Sequence, residues 1–556
     1  MKNIIKIFIA AAAVTGAFAA CSLKEELPGI NQGNFYRSES QARAVMNGIY
    51  IPLQSVFSST MMLVTEAQTD LWYSSSTTQD AQLMVTPAKP EHGATVWKYC
   101  YRGVDLCNEA IHCIGDSPYL ADSVKNVFLA EARVMRAFYY YYLTCMFNGV
   151  PYYTAQVNTY AVQDSIRYLP RRDANEIRRI LYDDIKTNAL PYFTEENGLK
   201  CRECEAPYKR SGYALGLMLM AKMAMWYGDW EGALEPLNAL EELYGEFNEQ
   251  RYPLNDIMWR YKHVPESIFE VQHEYDLSGV QYTSTVAKFM MPPHSTGYLF
   301  DDVTLYGYGN TIPSAATLRT NIRFAGLRSN ASGGEAGSTA GSLFGPLPLK
   351  ISDRYLTNRS RYAIELDLAA IASQTAKGQP LDRRAVIKFG MGNLQTGETF
   401  TRVVEYGSCW PGPQFWCPNI INNLDSNNYR LFRYADALLM MAECYCEEQN
   451  SQKALEYMNK IRRRAGVPEI TAFSGYEDLM LQIRNERARE LAGEFQRKFD
   501  LVRWGVWFDQ TYSNTENTKM KANMRRCHEY YPIPDVQCAL SGYILDNPEY
   551  RDNFIQ

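Results

Sequence analysis

Apolar and aromatic positions recur at helical spacing through AEARVMRAFYYYYLTCMF (130–147), where Ala130, Val134, Ala137, Tyr141 and Met146 share one helical face. The run holds no Gly or Pro, and Gly149 and Pro151 then stop it. Two later stretches resemble each other: YALGLMLMAKMAMWYGDWEGALEPL (213–237) and YADALLMMAECYCEEQNSQKALEYM (434–458). Ala221 aligns with Ala442 and, twelve residues on, Ala233 aligns with Ala454, each followed by Leu. Small residues at these positions let the two helices of an antiparallel hairpin approach closely, which is the tetratricopeptide pattern. Two copies are fewer than such stacks need, so degenerate copies are expected in 98–115 plus 130–147 and in 476–505.

From about 276 to 425 the periodicity is lost, and Gly, Ser, Pro and aromatic residues dominate. SNASGGEAGSTAGSLFGP (329–346) is a loop by composition, and AVIKFGM (385–391) reads as a short strand. The expected fold is mainly α: a tetratricopeptide-like helical-repeat scaffold (34–275 and 426–556) with a loop-rich insertion containing short β-strands (about 276–425), all one domain, 34–556. Binding residues concentrate on loops held by rigid scaffolds, so the insertion is the first place to look for them.

The N-terminus carries a different signal. Lys2 and Lys6 precede the apolar, small-residue run IFIAAAAVTGAFAA (7–20), the pattern of a secretory signal peptide over 1–20. The run is shorter than the roughly 20 residues that a bilayer span requires. FAAC, ending at Cys21, resembles a bacterial lipobox, with Phe18 where Leu is usual. The Cys21 thiol would be the nucleophile that takes a diacylglycerol, leaving 21–33 as a lipid-anchored linker. SLKEE (22–26) resembles the lysine-plus-acidic tag that directs lipoproteins of some Gram-negative bacteria to the outer face of the outer membrane.

Composition narrows the functional classes. A net charge of −6 gives no basic footprint for nucleic acid. Of the 13 cysteines, Cys201 and Cys204 lack the second pair that a zinc site needs, so no metal is expected. Cys409 with Cys417, and Cys527 with Cys538, bracket turn-rich segments and are spaced to close loops, although sequence does not fix pairing. Cys100, Cys107, Cys113 and Cys145 lie in helical patterns as small hydrophobes. Glu486, Glu490 and Glu494 share a helix face, but Arg487, Arg489, Arg497 and Lys498 interleave with them, which favours a salt-bridged structural helix over a pair of catalytic carboxylates. His112 and His273 read as packing residues. With no HExxH, G-x-S-x-G or P-loop in the chain, neither an enzyme nor a cofactor is expected.

Several ordered blocks resemble the SusD/RagB family of outer-membrane nutrient-binding lipoproteins. They are NFYRSESQARAVMNGIY (34–50), VWKYCYRGVDLCNEAI (96–111), EARVMRAFYYYYLTCMFNGVPYY (131–153), YLPRRDANEIRRILYDDI (168–185), RYADALLMMAECY (433–445), MNKIRRRAGVP (458–468), IRNERARELAGEFQRKFDLVRWG (483–505), YYPIP (530–534) and DNPEY (546–550). Phe495 stands where the family usually has Gly, and DNPEY where it usually has QNPGY. The resemblance implies a non-enzymatic lipoprotein on the cell exterior, anchored in the outer membrane through acylated Cys21. It would sit over a SusC-like TonB-dependent transporter and pass it captured oligosaccharide, or peptide as in RagB-like members. A helical-repeat scaffold that binds only proteins is the remaining alternative.

Sugar capture needs ring faces to stack on CH surfaces and polar groups to meet hydroxyls. Candidates outside the repeats are Asp70, Trp72 and Tyr73 in TDLWYSSST, Tyr306 and Tyr308 in YGYGN, and Trp410, Phe415 and Trp416 in CWPGPQFWC. The family resemblance adds that the loop after the early Asp commonly feeds an aromatic to the ligand. Each candidate has a packing or interface alternative, whereas Trp97, Trp226 and Trp230 sit inside helical motifs and read as core.

Overall fold

The computed structural model describes residues 36–74, 78–275, 282–286, 298–299, 322–324, 349–351, 361–366, 368–389, 392–393, 398–399, 401–405, 413–415, 424–515 and 517–551. It is mainly helical. The helices that carry the argument are α1 (Glu39–Gly48), α2 (His92–Gly115), α3 (Asp122–Phe147), α4 (Tyr160–Arg167), α5 (Ala174–Asn188), α6 (Tyr213–Trp226), α7 (Trp230–Tyr244), α8 (Arg383–Phe389), α9 (Tyr434–Glu447), α10 (Ser451–Ala465), α11 (Tyr476–Leu491), α12 (Arg497–Arg503) and α13 (Asp535–Leu540).

The sequence repeat is a structural repeat. α6 packs on α7 as α9 packs on α10, and Ala221, Ala233, Ala442 and Ala454 are all fully buried. The two turns also match. Gly228 and Gln449 both take positive φ, +73° and +59°. The next residue caps the second helix, Asp229 accepting from Gly232 N and Asn450 from Lys453 N. The central helix α3 departs from the one-face expectation: from Ala130 to Phe147 every residue except Arg133 is buried. A helix apolar on all sides belongs in a core, and two of its tyrosines keep their hydroxyls paired, Tyr139 with Ile49 O and Tyr140 with Tyr153 O. α2 lies along α3, as the degenerate repeat requires. Their contact is close at Gly103, where any Cβ would fall 2.3 Å from the Tyr139 ring.

Residues 476–505 do not form a further hairpin. α11 packs on α9 and α10, while α12 turns away to pack on the helix Ser59–Thr65. Between α11 and α12 the chain passes through Gly493 (φ +83°) and Phe495 (φ +62°). The left-handed backbone explains why Gly is usual at position 495. Phe495 accepts that strain while filling the core, its ring fully buried between Phe57, Trp259 and Tyr429.

Strands are few and short. β1 (Trp72–Ser74) pairs antiparallel with Ile322–Phe324. β2 (Ser267–Val271) pairs antiparallel with β3 (Tyr429–Arg433), Val271 facing Tyr429 and Ser267 facing Arg433. A four-stranded sheet runs in the spatial order Tyr298–Leu299, Thr401–Glu405, Arg361–Leu366, Leu349–Ile351. The stretch read as a strand at 385–391 is instead α8 through Phe389. Arg384 and Lys388, four apart, lie buried on one side of this helix, facing carboxylates of α11 and the turn after it, and that demand overrides the β-branched composition.

Candidate functional site

The carboxylate stripe of α11 is committed to structure. Arg384 Nη1 lies 2.7 Å from Glu486 and 3.1 Å from Glu490. Arg433 lies 2.5 Å from Glu490 and 2.6 Å from Glu494, and Lys388 lies 3.0 Å from Glu494. Arg464 pairs with Glu490 and, at 2.6 Å, with Glu266. Burial pushes the Glu486 and Glu490 carboxyls up, but the surrounding guanidinium groups prevail and hold both below the usual carboxylate range. Of the four interleaved cations, only Arg489 touches the stripe. Arg487 binds Asp436 and Asp500, Arg497 binds Asp70, and Lys498 donates to Gln68. α11 ends at Leu491, so Glu494 lies in the turn after it and not on the helix face expected, and all three carboxylates are ion-paired.

Two of the aromatic-loop assignments need correction. Trp72 is fully buried, its ring close to Gly493 and Phe415. Phe415 is buried as well, against Trp259 at 4.8 Å. Asp70 is buried and receives two hydrogen bonds from Arg497, 2.9 and 2.6 Å, and a third from Gln510 at 2.7 Å. Ser and Thr follow Asp70 and Trp72 in sequence, but α12 and the turn before it cover both residues. Tyr73 lies in β1 opposite Arg323, and its side chain is outside the described residues. So are Cys21, Tyr306, Tyr308, Trp410, Trp416, Cys409 and Cys417.

Cys527 and Cys538 are both free thiols, so they close no loop, and Cys201 and Cys204 are free as well. Among the described residues no His, Cys, Asp and Glu cluster could hold a metal ion, and no helix is long and apolar enough to cross a membrane. His273 is buried, and desolvation drives its imidazole down to about 3, which keeps it neutral. His112 is exposed, with Nε2 3.3 Å from Thr154 O. Trp97 is core-like at 5% exposure, whereas Trp226 and Trp230 are half-buried, Trp226 lying under the Arg178 guanidinium at 4.1 Å.

A groove of about 1190 Å³ opens elsewhere, between the first half of α2, the segment 151–157, α4 and α13. Trp97, Tyr101 and Asp105 point into it from successive turns of α2, and Tyr153 faces them across the floor. The Tyr101 and Tyr153 rings are parallel within 2° at 6.0 Å, and Trp97 meets Tyr101 at 4.9 Å. Each tyrosine is held by its hydroxyl: Tyr101 donates to Pro151 O and Tyr153 to Asp105 Oδ1, both at 2.7 Å. Burial raises the Asp105 carboxyl, while the Tyr153 hydroxyl and the nearby Arg102 guanidinium pull it down. Exposed Lys98 and Arg102 stand on the rim. Half-buried ring faces beside a carboxylate and two cations can stack on a sugar's CH surface and bond its hydroxyls. The sequence reading missed this groove, although the i, i+4, i+8 spacing of Trp97, Tyr101 and Asp105 within VWKYCYRGVD was its visible signal.

Two family models match opposite ends of the chain: "SusD family" over residues 419–550 and "Starch-binding associating with outer membrane" over 34–177. The chain belongs to the SusD/RagB family. This SusD-family chain is 23% identical to SusD-like protein P25 of Formosa agariphila over 82% of its own length and 79% of the relative's. It is likewise 23% identical to SusD-like protein P38 of the same organism, over 85% of each chain. A SusD homolog from Bacteroides thetaiotaomicron shares the fold at TM-score 0.65 and 17% identity, covering 92% of this chain and 97% of that one. Surface glycan-binding protein A from the same organism, in complex with laminarihexaose, superposes at TM-score 0.60 and 18% identity, covering 91% and 98%. The groove residues on α2 and at 151–157 fall inside the N-terminal match, and α13 falls inside the C-terminal one.

Proposed function

We propose that this protein captures oligosaccharide at the cell surface, anchored in the outer membrane through acylated Cys21, and delivers it to a SusC-like TonB-dependent transporter. The carrying observation is the aromatic groove of α2 in a SusD-family chain. The laminarihexaose bound by a fold relative supports a glycan as the ligand class. Tyr306, Tyr308, Trp410 and Trp416 of the insertion are proposed as further ligand contacts. Trp72 and Asp70 are not, because both are occupied in packing. The protein acts by binding alone, as the ion pairing of Glu486, Glu490 and Glu494 supports.

Native gels cast with a panel of polysaccharides test this reading, with the same samples assayed for cleavage. Retardation by at least one glycan without cleavage is the expected result. Cleavage would overturn the binding-only reading, and retardation by none would overturn the glycan.

A further inference from the structure

A second cavity, of about 400 Å³, lies on the scaffold away from the groove, between α1, α3 and the segment 193–215 that leads into α6. Exposed Glu39 and Asn197 flank its mouth, while Phe128, Phe193, Leu215 and Ile268 are buried in its walls. Its volume is near the lower end of the roughly 300–1,000 Å³ typical of small-molecule sites.

Two ionic side chains in this cavity are only half satisfied. Arg210 uses Nε on Glu131 Oε1 at 2.8 Å, and its Nη2 is buried without a hydrogen-bond partner. Glu203, 4% exposed, uses Oε1 on His263 Nδ1 at 2.6 Å, and its Oε2 is likewise buried without a partner. Leaving one donor of a cation and one acceptor of an anion unmade inside a protein is costly, and charge-assisted bonds to them would be about twice as strong as neutral ones. Glu131 already faces Arg210 and the His263 imidazole already faces Glu203, so what stays open is one donor nitrogen and one acceptor oxygen, which a ligand neutral overall would complement. It carries an anionic end, a cationic end and an apolar body.

We propose that this cavity binds a single α-amino acid with an apolar side chain, its carboxylate on Arg210 Nη2, its ammonium on Glu203 Oε2 and its side chain against Phe128, Phe193 and Leu215. Nothing in the glycan reading requires this site, and the cavity and the groove share no lining residue.

Titration calorimetry of the purified protein with leucine tests the proposal, against leucinamide (no carboxylate), 4-methylpentanoate (no ammonium) and glucose. Leucine is expected to bind and each of the other three at least tenfold more weakly. Glu203→Gln, which keeps an oxygen for His263, should weaken leucine at least tenfold and leave 4-methylpentanoate unchanged. Val127→Phe, which narrows the cavity from a half-buried wall position, should abolish leucine binding at unchanged melting temperature. No heat with leucine from folded protein would overturn the assignment and leave the two groups to water. So would leucine binding indifferent to both substitutions, or glucose binding lost in Val127→Phe.

Discussion

Replacing Arg433 with methionine should be among the most damaging single changes in the scaffold. Its guanidinium donates five hydrogen bonds: to Glu494 Oε2 (2.6 Å) and Oε1 (3.1 Å), Glu266 Oε1 (2.8 Å), Glu490 Oε1 (2.5 Å) and the Glu490 carbonyl (2.6 Å). The side chains of Arg433, Glu266, Glu490 and Glu494 are all at most 4% exposed, so water cannot replace the lost partner. Removing one member of a buried ion cluster costs about 3–5 kcal/mol, because uncompensated charge stays behind. Glu490 and Glu266 keep Arg464, and Glu494 keeps Lys388 and Gln414, which holds the loss within that range. The pH dependence has a definite sign. In the native protein Arg433 helps to depress the Glu490 carboxyl, so its contribution is present above the ordinary carboxylate range and fades as pH falls through the lower folded value. In Arg433→Met the stranded carboxylates can take up protons instead, so the deficit should shrink between pH 7.5 and pH 5. Guanidinium denaturation of both proteins at these two pH values measures it. A loss below about 1 kcal/mol at pH 7.5, or a loss that grows at pH 5, would refute the account of a desolvated cluster.

Other outcomes follow from the same geometry. Trp72→Ala should cost about 3–5 kcal/mol in denaturant unfolding and leave the affinity of the folded protein for glycan unchanged, since the ring is core. Tyr153→Ala should weaken glycan binding about tenfold, near 1–1.5 kcal/mol of ring contact, with little change in melting temperature, because the ring is half-buried. Phe495→Gly should relieve about 1–3 kcal/mol of left-handed backbone strain but lose about 3–5 kcal/mol of buried ring, for a net fall in stability by denaturation. Burial lowers the Lys498 ammonium to about 7. The unfolded chain therefore binds the extra proton between about pH 7 and 10, native stability rises with pH across that window, and the rise should disappear in Lys498→Met. Cys21→Ala should release the protein from membranes into the soluble fraction, as fractionation and blotting will read.

The hairpins α6–α7 and α9–α10 were legible because a helical repeat is written locally, in small residues twelve positions apart and a capping Asp or Asn after a left-handed turn residue. α8 was misread for the opposite reason. AVIKF is too short for its period to separate helix from strand, and Arg384 and Lys388 show their helical purpose only when α11 lies beside them. Trp72 stood as a ligand candidate with a packing alternative because its neighbours in sequence are polar, while the groups that cover it lie near residues 415 and 493. The groove was half legible: α2 presents Trp97, Tyr101 and Asp105 at helical spacing, but nothing in that segment says that Tyr153 and α13 complete the opposite walls.

By itself the sequence determined the mainly helical class, the repeat and the family, all of which depend on order and spacing within tens of residues. Tertiary structure alone decided which charges pair and which aromatics face water. Arg464 meets Glu266 across 198 residues, and Arg497 meets Asp70 across 427. A buried guanidinium needs a carboxylate near in space, and chain separation does not enter that requirement.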